Sequence, residues 1–144
     1  MLNAIHHTAI STGDLDRLIR FYRDLLGFEV EREFSWDKGN EIADNITGLK
    51  DSASKAAMLK LGDFRLELFQ FSSPAPKLSD INRPVCDHGL THLAFTVTDL
   101  DAEYERLVSA GMVFHCPPQD AITAKVTYGR DPDGNVVELM EMTE

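Results

Sequence analysis

The chain has 144 residues, 43% of them apolar and 26% charged, and a net charge of −10. That length and balance suit one compact domain that buries roughly 68–70% of its unfolded surface and needs no disulfides to fold. An acidic chain with no basic run or stripe is a poor partner for nucleic acid or an anionic membrane, and no apolar run approaches the ~20 residues of a membrane span. The opening "MLNAIHHTAIST" lacks the basic and apolar regions of a secretory signal. With only Cys86 and Cys116 present, a reduced, cytoplasmic protein is expected.

In chain order, "HHTAIS" (6–11) opens a strand, Asp14 is placed to cap a helix, and Leu15, Leu18, Ile19, Tyr22, Leu25 and Leu26 form its apolar stripe up to Gly27. "FEVEREF" (28–34) reads as a strand. The polar residues 35–54, with Trp36, read as a lid, a surface loop or a dimer contact. Strands follow at "AAMLKL" (56–61) and "RLELFQF" (65–71), then the proline-bearing connection 72–89. "LTHLAFTV" (90–97) is again a strand, with Leu93, Phe95 and Val97 on one face and His92, Ala94 and Thr96 on the other. A second helix carries Leu100, Tyr104, Leu107 and Val108 before Gly111. Strands at 112–116 and 123–129, the turn "DPDGN" (131–135) and a last strand "VVELMEM" (136–142) complete the chain.

The chain therefore repeats itself. His7 matches His92 and the "DLD" at 14–16 matches that at 99–101, both 85 residues on; Glu67 matches Glu138, 71 residues on. Each unit reads strand–helix–strand–strand–strand. A unit of about 70 residues is too long for a solenoid repeat, so the pattern points to duplication within one domain.

Strand parity puts His7 with Ala9 and Ser11, and Glu67 with Phe69 and Phe71; the second unit puts His92 with Ala94 and Thr96, and Glu138 with Met140 and Met142. A single His or Glu in a strand is ordinarily a hydrogen-bonded or exposed residue. Recurrence of both types at matched positions, on faces otherwise small or apolar, turns the reading toward a metal, because buried charges are normally paired or metal-bound. Imidazole nitrogen with carboxylate oxygen makes a borderline donor set for a divalent transition metal. Phe69, Phe71, Met140 and Met142 are expected to wall the pocket, with core filling the alternative for each. Arg130, beside Asp131, is expected to support the turn rather than meet an anion. His88, His115, Cys86 and Cys116 fit no common zinc spacing, and the cysteines are expected to act as small hydrophobes. His6 is expected to point away from His7.

The motifs "HHTAIS", "DLDRLIRFYRDLLGFEV", "LELFQF", "THLAFTVTDLD" and "GRDPDGNVVEL" together resemble the vicinal oxygen chelate superfamily, which includes glyoxalase I, methylmalonyl-CoA epimerase, extradiol dioxygenases, fosfomycin resistance enzymes and bleomycin-binding proteins. The resemblance implies an α+β fold of two tandem βαβββ modules, an eight-stranded curved sheet around a metal-binding cup. The domain would cover 1–144, with module one at 4–71, the connection at 72–89 and module two at 90–142. It also implies His7, Glu67, His92 and Glu138 as ligands of one divalent ion (Zn, Ni, Co, Mn or Fe), with Glu138 as the base and Glu67 able to share that role. An acid at position 67 is closer to glyoxalase I and the epimerase than to dioxygenases or fosfomycin enzymes. Ser11 and Phe71 depart from the Arg and Asn usual in glutathione-using glyoxalases and argue against glutathione thioesters. The expected function is a metal-dependent isomerase or lyase that moves a proton next to a carbonyl through an enediolate. A ring-cleaving dioxygenase and a bleomycin-resistance-like binding protein are the alternatives. The expected partners are a small substrate with adjacent oxygens and a second copy in a homodimer.

Overall fold

The computed structural model describes residues 1–143. Its contacts divide the chain into two units, Met1–Leu78 and Ser79–Glu144. The fold is α+β, with one sheet of four strands and one of five.

In the first unit β1 (Thr8–Ser11) pairs in parallel with β4 (Phe64–Ser73), β4 antiparallel with β3 (Ala53–Leu61), and β3 antiparallel with β2 (Glu29–Trp36), in the order β1-β4-β3-β2. A parallel pair needs a crossover, and helix α1 (Leu15–Arg20) begins it. Asp14 caps this helix by accepting from the Arg17 N–H at 2.9 Å. The helix continues as a π-helical turn over Phe21–Leu25. The wider turn rotates the side chains, so that Phe21 is buried together with the expected Leu15, Leu18, Ile19 and Tyr22. These residues pack on the outward face of β3 and β4, where Ala57, Leu59, Leu66 and Leu68 are all fully buried.

Residues 35–54 are not one loop. Strand β2 runs to Trp36, and a short helix α2 (Glu41–Thr47) follows, capped by Asn40. The Asp44 carboxylate accepts from the N–H groups of Asp51 at 2.9 Å and Ser52 at 2.8 Å. Ser52 in turn accepts from the Trp36 indole N–H at 2.9 Å. These bonds tie α2 to the end of β2.

The second unit repeats this plan. Strand β5 (His92–Thr96) pairs in parallel with β9 (Val136–Met142), and β9 antiparallel with β8 (Ala124–Arg130). β8 carries two short strands, β6 (Val113–Phe114) and β7 (Gln119–Asp120). Helix α3 (Leu100–Ser109) is the crossover; it buries Leu100 and Leu107, but Val108, expected in the apolar stripe, is 44% exposed and does not join it.

The duplication extends to the hydrogen bonds. In unit one the Thr12 N–H donates to the Phe69 carbonyl, and in unit two the Val97 N–H donates to the Met140 carbonyl. The Gln70 side chain accepts from the Leu15 N–H, while Glu141 accepts from the N–H groups of Asp99 and Leu100. Both outward-facing side chains satisfy the first turn of a crossover helix, where backbone donors otherwise lack partners.

Candidate metal and active site

Strands β4, β5 and β9 carry Glu67, His92 and Glu138, and His7 directly precedes β1. In unit one, Ala9 lies directly opposite Glu67 across the β1–β4 pair. Its small methyl leaves room for His7, two residues earlier, to reach diagonally to the carboxylate. His7 Nε2 stands 3.0 Å from Glu67 Oε2. In unit two Ala94 lies opposite Glu138, and His92 Nε2 stands 3.0 Å from Glu138 Oε2. The carboxylates are the withdrawn members, their side chains 12% and 14% exposed against 36% and 28% for the imidazoles. A buried carboxylate requires a partner, and the imidazole supplies it. Each pair offers one nitrogen and one oxygen donor, a combination that fits zinc, nickel, cobalt, manganese or iron. Among the described residues no group of three or more His, Cys, Asp or Glu side chains gathers into a metal-holding cluster. Each unit thus holds one two-donor pair.

Beside Glu67 an aromatic wall rises. Phe69 and Phe71 stack at 5.6 Å, Trp36 meets both edge to face at 6.0 and 5.8 Å, and Phe34 meets Phe69 at 6.4 Å. The register places Phe34 opposite Ala56, and Ala56 opposite Phe69, so all share the face of Glu67. Phe34 and Trp36 went unassigned to the pocket from sequence. A bulge between Val30 and Arg32 inserts a residue and swaps which side of β2 faces the site, and strand alternation alone does not show such an inversion.

In the second unit Tyr128 lies opposite Glu138, its ring 5.0 Å from that of His92. Burial, and then the charge of Glu138, push its hydroxyl above the usual tyrosine range. It stands where the first unit has Met58, which lies opposite Glu67. Met140 is half-buried. Met142 is 56% exposed, in a shallow depression with Thr96, Val97, Thr98 and Glu141.

Four further sequence readings are resolved by the geometry. His6 does not point away from His7: their Nδ1 atoms are 2.8 Å apart and their rings meet edge to face at 5.1 Å. Arg130 does hold its turn, donating to the carbonyls of Gly134 at 2.7 Å and Arg83 at 3.0 Å. Its Nε donates to His115 Nε2 at 3.0 Å, which engages that imidazole. Cys86 and Cys116 are free and exposed, not small buried hydrophobes.

The Glyoxalase/Bleomycin resistance protein/Dioxygenase superfamily matches residues 4–139. The chain belongs to this superfamily. It is 36% identical over 142 residues to YaeR of Escherichia coli (strain K12), an uncharacterised protein, covering 97% of each chain. It is 32% identical to 2-epi-5-epi-valiolone epimerase of Actinomyces sp., over 72% of this chain and 57% of that one. More distant superfamily relatives include lactoylglutathione lyases. Among solved structures a glyoxalase family protein from Bacillus cereus aligns with a TM-score of 0.87 at 27% identity, over 100% of this chain and 97% of that one. Within this glyoxalase-superfamily fold Ser11 lies opposite Phe69, and Phe71 stacks on that same ring, so the two departures noted in the sequence stand at the aromatic wall.

Proposed function

We propose that the chain is a divalent-metal-dependent isomerase or lyase of the glyoxalase or epimerase type, which moves a proton on carbon next to a carbonyl. The observation that carries this reading is the duplicated His–Glu pair, the same two residue types at the same 3.0 Å separation in each unit. In this reading modules 4–71 and 90–142 of a single domain each give one pair, and His7, Glu67, His92 and Glu138 hold one ion. Bound there, such an ion supplies Lewis acidity that stabilises negative charge on the substrate's carbonyl oxygen. Glu138 takes the carbon-bound proton and returns it to the same or the neighbouring carbon. Glu67 shares that task in this reading. Before an ion is bound, His7 and His92 hold the two carboxylates in place through their Nε2 contacts. In this reading Phe69 and Phe71, joined by Phe34 and Trp36, hold the body of the substrate and exclude water, and Met140 and Met142 are apolar lining residues of the second unit. Relatives named as an epimerase and as lactoylglutathione lyases support proton transfer over ring cleavage.

The test is solvent exchange. Zinc- or nickel-repleted protein in D2O is expected to introduce deuterium next to the carbonyl of a 2-oxo acid or acyl-CoA probe. Glu138→Gln is expected to slow that exchange by about 10²-fold or more, the usual contribution of a positioned base. Oxygen consumption with catechols, retained in Glu67→Gln, would instead establish a dioxygenase. A protein that takes up no divalent ion after repletion would establish the binding-protein reading.

A further inference from the structure

Each imidazole of the two pairs has its other ring nitrogen engaged by the residue just before it in the chain. His7 Nδ1 lies 2.8 Å from His6 Nδ1, and His92 Nδ1 lies 2.9 Å from Thr91 Oγ1. The contact is duplicated, although the residue types differ. An imidazole and a hydroxyl share one property: each both donates and accepts hydrogen bonds. A carboxylate or a backbone carbonyl, the usual partners of ligand histidines, only accepts.

That property meets a specific need. In the metal-free pair, the Nε2 contact with glutamate requires a proton on Nε2. In the neutral ring Nδ1 then presents a lone pair, and its neighbour must donate. Coordination through Nε2 requires the lone pair there, which places the proton on Nδ1, and the neighbour must accept. We propose that His6 and Thr91 are matched positioning residues that keep Nδ1 of His7 and His92 hydrogen-bonded in both tautomers, so that each ligand ring stays aimed while the site loads and unloads. This rests on the metal reading above.

The proton balance is neutral on each side. At His92 the Nε2 proton leaves to water, Nδ1 takes one from water, and the Thr91 hydroxyl turns from donor to acceptor. At His7 the proton on His6 Nδ1 crosses to His7 Nδ1. The exposed His6 ring takes a replacement from water at Nε2, and His7 Nε2 releases one to water.

The experiment uses full-length protein with Zn²⁺ as probe and follows imidazole nitrogen shifts by NMR alongside a chelator-competition titration. In the wild type, His92 and His7 are expected to carry the proton on Nε2 without zinc and on Nδ1 with it. Thr91→Val, which keeps shape but loses the hydroxyl, and His6→Phe are each expected to weaken zinc binding about 10–100-fold and to blur the metal-free tautomer preference of the adjacent ring. Thr91→Ser and His6→Asn, which still donate and accept, are expected to bind within about threefold of wild type, since the partner chemistry is retained. Wild-type zinc binding with unchanged affinity and tautomers in Thr91→Val and His6→Phe would overturn this inference and leave the metal reading intact. A folded wild type that binds neither zinc nor nickel, cobalt, manganese or iron would overturn the metal reading and this inference with it.

Discussion

At the scale of the residue, Ala9 and Ala94 decide whether the pairs form. Each faces a carboxylate directly and is the gap through which histidine reaches it. Ala94→Leu is expected to fill that gap, displace His92 from Glu138 and lower zinc affinity at least about tenfold, as loss of an orienting contact does; chelator competition measures it. The four pair residues were legible in the sequence because duplication picked them out. The same filter hid Tyr128, since its counterpart in the other unit is Met58. The reading of His6 failed for a different reason. Alternation holds only inside a strand, and β1 begins at Thr8, so nothing forces residues 6 and 7 to opposite sides.

At the scale of the element, the turn into β9 is the most constrained. Gly134 has φ +83°, and a Cβ there would sit 2.2 Å from the Ile81 carbonyl oxygen. Gly134→Ala is expected to cost about 2 kcal/mol or more, the left-handed penalty plus a backbone clash, read as a fall in the chemical denaturation midpoint. The α2 segment gives a pH-dependent prediction. Hydrogen bonds from Ser52, followed by the backbone N–H of Asp51, hold the Asp44 carboxyl below the usual carboxylate range. A lowered folded-state value means the charged form stabilises the fold. That contribution is complete above about pH 4, the unfolded value, and is lost on acidification through the folded one. Asp44→Asn is therefore expected to reduce stability at pH 7, with the difference from wild type closing in strong acid. Trp36, the chain's one tryptophan, bonds to Ser52, and its fluorescence reports that opening. The sequence showed the strands and both crossover helices, but the π turn, the β2 bulge and α2 left no periodic trace. Each depends on packing or capping that a polar stretch or a single inserted residue does not announce.

For the molecule as a whole, the repeat carried most of the fold: each unit builds a parallel strand pair around a crossover helix, as the sequence pattern required. The five-stranded sheet gains the two-residue β7, which is too short to recognise by alternation. No helix among the described residues is long and apolar enough to cross a membrane. If both pairs serve one ion, stability must rise with ion concentration by mass action. Zinc at 100 times its dissociation constant is expected to add about 2.7 kcal/mol, visible as a Tm increase of several degrees by scanning calorimetry. Glu67→Gln and Glu138→Gln are each expected to shrink that increase. An increase untouched by either variant would place the ion elsewhere.

The closing strand of each unit has one further consequence. Glu67 and Gln70, like Glu138 and Glu141, are three positions apart and so occupy opposite sides of a single ribbon, one turned to the candidate site and the other clasping the helix opposite. Adding or removing one amino acid between them would cost one or the other, because either the acid would swing into the hydrophobic layer or the clasp would let go. The spacing of three is therefore a length constraint common to both units, one that tolerates exchanges of side chain but not insertion or deletion.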